Sequence, residues 1–357
     1  KKNQVHVYSS NYALYGDMSS RVMNLLTTFT PEIEVYSIDE AFLKFKGFEL
    51  FDLEEYGIKM QRTVTKGTGI PVSIGFAPTK ALAKVANKIA KKFPERTQSV
   101  YVIDSEEKRI KALKWTKIAD VWGIGRRYAK RLESLHIKTA YAFTQLSDDW
   151  VRKEMSVVGL RLKRELEGKP TLDLEEASNK KAIATTRSFE KTYSTLDQIS
   201  ERVATFTAHC AEKIRKQQSQ CNLVMVFVKT NGFIPNTPQY SRSIVIKTDY
   251  PTDSTIDLNR YAQIGLKAIF KEGYQYKKAG VICMGLTPNA TVQLSLFSTA
   301  NPKHQPLMRV VDRLNHSIGK TVVRFATQSI GRQWKMKQEK LSQRYTTNIK
   351  EVIKIEL

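Results

Sequence analysis

Asp39 and Glu40 stand side by side inside an otherwise apolar run, VYSIDEAF, from Val35 to Phe42. The wider stretch Ile33 to Phe45, IEVYSIDEAFLKF, has the β-branched and aromatic composition of strands. A carboxylate buried in such a run is costly without a cation, a donor or a metal. On a straight strand the two side chains would point to opposite faces. A turn near Ser37-Ile38-Asp39-Glu40, joining IEVYS and EAFLKF as a hairpin, would bring both to one site. The chemistry such a pair serves is magnesium-dependent phosphoryl transfer. Hard Mg2+ takes one or two carboxylates plus phosphate oxygens, and two ions about 4 Å apart can hold attacking and leaving oxygens in line. A plain acidic turn at the surface has the same spacing.

A second constellation is VWGIGRRYAKR, Val121 to Arg131. A Gly-hydrophobic-Gly loop followed at once by a basic helix is the signature of a helix-hairpin-helix element. Gly123 and Gly125 flank Ile124 and let the backbone approach a phosphate, while the helix N-terminus offers free N–H groups. Arg126, Arg127 and Lys130 add charge. Such elements grip duplex backbone without reading sequence; an ordinary helix-turn-helix corner is the alternative. A third feature is QLSLF, Gln293 to Phe297, between a turn-like Thr-Pro-Asn and the polar stretch Ser298 to Pro306. It resembles a short peptide that docks in an apolar groove, or else a fragment of edge strand.

The elements that must position these residues are legible in part. Val5 to Tyr8 reads as a strand already under way. Asp17 to Thr28 reads as a helix with Asp17 serving its N-terminus, Leu53 to Thr65 as another helix, and Pro71 to Phe76 as a buried strand. Thr79 to Lys92 has the clearest helical period. Lys80, Lys84, Lys88 and Lys91 fall within an arc of about 80°, opposite Leu82, Val85, Ala86 and Ile89. Such a basic face is often simply solvated. A charged, mostly helical region runs from Ser105 to Gly168, then a linker through LEEASNK, Leu174 to Lys180. From Ile183 a helix over Leu196 to Gln217 sits among strand-like runs at Leu223–Thr230, Ser243–Thr248 and Gly280–Leu286, predicting a small α+β domain. From Asn301 to Leu357 there are 12 Lys and Arg against 4 Asp and Glu, a basic tail.

Bulk composition narrows the partners. The 357 residues suffice for two to four domains, and 41% hydrophobic with 26% charged residues is a globular balance. A formal net charge of +23 points to a polyanionic partner, nucleic acid or an acidic membrane surface. Membrane is disfavoured, because apolar runs such as LVMVFV (Leu223 to Val228) are strand-length, far short of the ~20 residues of a spanning helix. Cys210, Cys221 and Cys283 are too few and too scattered for a disulfide framework or structural zinc, and a reducing, cytoplasmic setting fits.

Taken together these residues resemble the Y-family translesion DNA polymerases, in particular the UmuC-type catalytic subunit of bacterial polymerase V. The matching stretches are SSNYALYGDMSSRVM, VYSIDEAF, GIPVSIGFAPTKALAKVANKIAKK, DVWGIGRR, TRSF, QLSLF and QWKMKQEKLSQRYTT, in order along nearly the whole chain. The resemblance implies an α+β, multidomain right-hand fold. Residues 1–10 would be a remnant of the fingers, 11–105 an incomplete palm, 106–170 a helical thumb and 171–182 a linker. Residues 183–288 would be an α+β little finger, and 289–357 the clamp-binding peptide with a basic C-terminal region. It implies that Asp39 and Glu40 bind Mg2+ as catalytic carboxylates and that Lys91 contacts the incoming deoxynucleoside triphosphate. Gly123, Ile124, Gly125, Arg126, Arg127, Lys130 and Arg187 would contact primer–template DNA. Gln293, Leu294, Leu296 and Phe297 would anchor a sliding clamp, and a processed UmuD-like dimer and a RecA filament would be further partners in the SOS response.

The family pattern begins with a strand bearing another metal-binding Asp and an aromatic that excludes ribonucleotides; neither is in this sequence. The expectation is therefore error-prone templated synthesis for the parent protein and little or none for this chain alone. A non-catalytic DNA- and clamp-binding fragment is the alternative. A metal-dependent nuclease is a third reading, since paired carboxylates and a helix-hairpin-helix also suit phosphodiester cleavage.

Overall fold

The computed structural model describes residues 5–176, 178–290, 301–318, 322–328 and 338–353. They form two compact units, residues 1–177 with 341–357, and residues 178–340.

In the first unit, α1 (Tyr12–Leu26) starts five residues before the expected point. The Asn11 side chain accepts from the Leu14 N–H and caps it, whereas Asp17 lies mid-helix, ion-paired to Arg21 at 2.8 Å. Val5 to Tyr8 is not a strand. Its backbone has no ladder partner among the described residues, Val5 and Val7 are exposed, and the nearby bridge is that of Ser9, parallel to Leu341. β1 (Ile33–Val35) and β2 (Ala41–Leu43) form an antiparallel hairpin. After α2 (Leu53–Thr68), β3 (Ile74–Phe76) pairs in parallel with β4 (Val100–Val102). Between them run α3 (Lys80–Lys92) and the single turn α4 (Pro94–Thr97). The expected strand over Pro71 to Phe76 shortens to its last three residues: Pro71 has no N–H for a ladder, and the Ser73 carbonyl accepts instead from the Asn87 amide at 2.5 Å.

α3 carries the apolar residues Leu82, Val85, Ala86 and Ile89 on its buried side, as the period predicts. Thr79 caps it by accepting from the Leu82 N–H. Gly75 lets it approach β3: a Cβ there would lie 2.1 Å from the Asn87 nitrogen and 2.5 Å from the Ala83 oxygen. The same core continues into α5 (Glu106–Trp115), α6 (Arg126–Ser134), α7 (Ala140–Thr144) and α8 (Asp148–Leu166), filled by Leu113, Leu132, Phe143 and Leu166.

The second unit is α+β. Its antiparallel sheet has the order β5 (Ala182–Tyr193), β8 (Tyr276–Met284), β6 (Ser219–Thr230), β7 (Ser241–Thr252), with the short β9 (Thr287–Pro288) on the start of β6. Two helices, α9 (Leu196–Lys216) and α10 (Thr255–Ile269), pack on one face over Val224, Val226, Val228 and Val281. The sequence pattern does not announce β5 or α10. β5 alternates apolar with small and charged residues, and α10 has no run that stands out by period. α11 (His304–Ser317) is held by Arg215, whose guanidinium donates to both carboxylate oxygens of Asp312 at 2.6 and 2.7 Å.

Candidate active site and nucleic-acid interface

The hairpin brings Asp39 and Glu40 to one end of β1 and β2. The N–H groups of Tyr36 and Ser37 both donate to the Glu40 carbonyl at 3.0 Å, which closes the turn. The Ser37 hydroxyl donates to Asp39 Oδ1 at 2.6 Å, and the Ser19 hydroxyl, from α1, donates to the Ile38 carbonyl at 2.5 Å. Because the chain turns, the two carboxylates escape the opposite-face geometry of a straight strand. Asp39 is exposed and Glu40 half-buried.

Across from the turn lies the lysine row of α3, and it is not merely solvated. Lys80 pairs with Glu34 of β1 at 2.5 Å, Lys84 with Glu40, and Lys88 with Asp120 at 2.7 Å. One helix thereby ties together both sides of the hairpin turn and the loop before α6. The Lys80–Glu34 pair is largely shielded from water, and Glu34 also accepts from the Glu175 N–H at 2.8 Å. Deleting one partner of such a pair strands the other, at a cost of about 3–5 kcal/mol. The exposed pairs contribute about 1 kcal/mol or less each. Lys91, the last of the row, is exposed and unpaired among the described residues. Asp39, Glu40, Lys80, Lys84 and Lys91 all line one cavity of about 1600 Å3, together with apolar residues such as Met18, Met60 and Phe76. A lining of cations, carboxylates and apolar side chains together suits a ligand with an anionic end and a flat, weakly polar end.

The loop before α6 is built as the Gly-Ile-Gly spacing predicts. Gly123 has φ +92, a left-handed conformation that a side chain strains, while Ile124 is buried. Gly125 occupies the N-cap of α6 and has no side chain to accept from the first-turn N–H groups. Arg126, Arg127 and Lys130 are all exposed around that end. Free N–H groups with three nearby cations make an anion-favouring helix start.

Comparison with known proteins follows the same order along the chain. Residues 1–88 match the impB/mucB/samB family, residues 180–296 match the impB/mucB/samB family C-terminal domain, and residues 305–355 match a domain of unknown function, DUF4113. The UmuC protein of Salmonella typhimurium (strain LT2) is 38% identical over 99% of this chain and 85% of its own length. ImpB of Salmonella typhimurium is 37% identical over 98% of this chain and 84% of its own length. The chain belongs to the impB/mucB/samB family, the UmuC-type Y-family polymerases. Its fold is like that of a solved Y-family DNA polymerase chimera, with a TM-score of 0.62 at 21% identity over 78% of each chain.

Within this UmuC-type chain, Asp39, Glu40 and Lys91 line one cavity, and Asp120, three residues before Gly123, is ion-paired to Lys88 of the same helix. Arg187 lies in the second unit on β5, opposite Ala279, and is exposed. By strand parity it shares the side of buried Ile183 and Thr185; Thr186 and Ser188 belong to the open face. Gln293, Leu294, Leu296 and Phe297 lie outside the described residues.

Asp39 and Glu40 offer hard carboxylate oxygens, the donor chemistry of Mg2+. Among the described residues, no set of three His, Cys, Asp or Glu side chains converges as a metal site. The pair thus fits an ion whose remaining ligands come from phosphate oxygens or water. Sequence reasoning misses Glu34, Tyr36 and Trp122, because their partners lie far along the chain. It also separates Cys210, Cys221 and Cys283, which share the second unit's buried core. The Cys210 thiol, then Cys221 and burial push Cys283 well above the ordinary thiol range. No helix among the described residues is long and apolar enough to cross a membrane.

Proposed function

We propose that this protein is the catalytic subunit of an error-prone, lesion-tolerant DNA polymerase of the SOS response, acting in the cytoplasm. The observation that carries this reading is that Asp39 and Glu40, at one turn, line the same cavity as Lys80, Lys84 and Lys91 of α3 in a UmuC-type chain. In the reaction, the primer 3′-hydroxyl attacks the α-phosphate of a deoxynucleoside triphosphate and pyrophosphate leaves. Asp39 and Glu40 would hold Mg2+, which when bound neutralises phosphate charge. Lys91, and Lys84 once released from Glu40, would attract the triphosphate. The N–H groups after Gly125, with Arg126, Arg127 and Lys130, would grip the duplex backbone, and Arg187 would add a contact from the second unit.

The sliding clamp as partner of Gln293, Leu294, Leu296 and Phe297, and the UmuD-like dimer and RecA filament, rest on the family resemblance. A second reading rests on the family resemblance, whose pattern includes a further metal-binding Asp. In that reading the chain by itself binds DNA and the clamp and synthesises little. The third, nuclease reading has no further acidic or histidine cluster among the described residues to support it.

The test is primer extension with Mg2+ and four deoxynucleotides on intact and abasic templates, with Asp39→Ala alongside. Synthesis that disappears in Asp39→Ala supports the polymerase reading for this chain. Salt-sensitive duplex binding without synthesis supports the binding fragment. Strand cleavage would overturn both.

A further inference from the structure

Trp122 lies one residue before Gly123, in the loop that leads into α6, yet it packs on the carboxylate turn. Its indole N–H donates to the Tyr36 hydroxyl at 3.0 Å. Its ring lies 5.8 Å from the Tyr36 ring and 5.7 Å from the Phe42 ring, which themselves meet at 5.6 Å. Tyr36 immediately precedes the Ser37–Glu40 turn and donates its own N–H to the Glu40 carbonyl; Phe42 follows two residues after Glu40. One side chain of the backbone-gripping loop therefore holds both arms of the turn that carries Asp39 and Glu40.

The connection has little slack. Two residues before Trp122, Asp120 is fixed to Lys88 of α3; the helix that holds Asp120 also holds Glu40 through Lys84 and Glu34 through Lys80. After Trp122, Gly123 is locked in its left-handed turn by the Ile124 N–H bonding to the Val121 carbonyl at 3.0 Å, and α6 begins at Arg126. A phosphate drawn to the α6 N-terminus bears on a short loop anchored by buried Ile124 and, two residues earlier, by the indole. Trp122 itself is half-buried.

We infer that Trp122 is a positioning residue: through its bond to Tyr36 it couples occupancy of the α6 backbone site by duplex to cation binding at Asp39 and Glu40. The inference rests on the polymerase reading of those two sites. Linkage requires the coupling to be reciprocal, so duplex must tighten the cation by the same factor as the cation tightens duplex. A merely structural tryptophan would change stability without changing that factor.

The experiment measures Mn2+ dissociation from the full chain by electron paramagnetic resonance, with and without saturating primer–template duplex. It compares wild type, Trp122→Phe, Trp122→Ala and Tyr36→Phe, with Asp39→Ala marking the specific site. In wild type the duplex is expected to tighten Mn2+ about fivefold or more. Trp122→Ala should bring that ratio close to one while both ligands still bind, and Trp122→Phe and Tyr36→Phe, which keep a ring but lose the hydrogen bond, should lower it. An unchanged ratio in the variants, or a wild-type ratio of one with both ligands bound, overturns the coupling. Wild type that binds no duplex, or no Mn2+ dependent on Asp39, overturns the polymerase reading beneath it instead. If Trp122→Ala fails to fold, the two ring-preserving variants decide: a reduced ratio supports the coupling and a full wild-type ratio overturns it.

Discussion

Lys84 of α3 forms an ion pair with Glu40, a residue 44 positions earlier in the chain. The ammonium group occupies one of the oxygens that a cation would use, so Lys84 and a metal compete for Glu40. Displacing the lysine would turn its charge toward whatever anion enters the cavity. Lys84→Met is expected to tighten Mn2+ at the turn by roughly fivefold, the equivalent of about 1 kcal/mol for a partly exposed pair. It should also weaken triphosphate binding. Paired Mn2+ and nucleotide titrations check this; weaker Mn2+ binding in Lys84→Met would show that the lysine supports the metal rather than competing with it.

Backbone gripping at α6 predicts a salt signature. Each Lys or Arg that neutralises a phosphate releases counterions, so Arg126→Ala or Arg127→Ala should lower the slope of log affinity against log salt by about 1. The loss of affinity should be similar for unrelated duplex sequences, because phosphates carry no sequence. Fluorescence anisotropy across a salt series reads both quantities. A variant slope equal to that of wild type would remove these arginines from the interface.

The close approach of α3 to β3 makes a sharp stability prediction. In Gly75→Ala the new methyl meets backbone atoms of α3 at Asn87 and Ala83, which cannot rotate aside. The cost should reach at least about 1–3 kcal/mol, as overpacking does, and the lysine row should move with its helix. Urea unfolding of Gly75→Ala against wild type provides the number. A loss below about 0.5 kcal/mol would mean that α3 is less tightly seated.

Acid sensitivity of the first unit has a definite direction. Hydrogen bonds from the Arg344 side chain and backbone hold Glu351 down to about 2, and Lys163 holds Asp148 below the usual carboxylate range. Both folded values are depressed, so the stability they contribute is present above the ordinary carboxylate pKa. It is lost as pH falls from about 4.5 toward 2. Asp253 of the second unit runs the other way, because burial raises it and penalises its charged form. The urea midpoint of the first unit should fall steadily over the acid window, and the Asp148→Asn, Glu351→Gln double variant should show a flatter fall. Identical pH profiles would show that these two carboxylates do not drive acid unfolding.

Part of the fold and of the candidate site is legible in residue spacing alone. The α3 helix follows from its 3.6-residue period, with Thr79 as cap, and the α6 loop from Gly123, Ile124 and Gly125. These are local effects: each depends on neighbours within a few residues, so spacing encodes them. The α1 boundary is not fixed that way, because Asn11 and Asp17 are both acceptable caps. The choice fell to Asn11, whose amide also donates to the Ser342 carbonyl and hydroxyl at 3.2 Å. Val5 to Tyr8 has strand composition but no partner strand among the described residues, and composition cannot supply one.

Residue types and their spacing established which groups could do chemistry: an acidic pair at Asp39 and Glu40, a row of lysines on one helical face, and a glycine loop opening a basic helix. What each of them faces came from tertiary folding alone. It put Glu34, Glu40 and Asp120 against successive lysines of α3, set Trp122 on Tyr36, and gathered three scattered cysteines into one core. The physical reason is range. Period and capping act through the covalent chain over a turn or two, whereas ion pairs and ring contacts join residues tens of positions apart, and their partners exist only once the chain has folded.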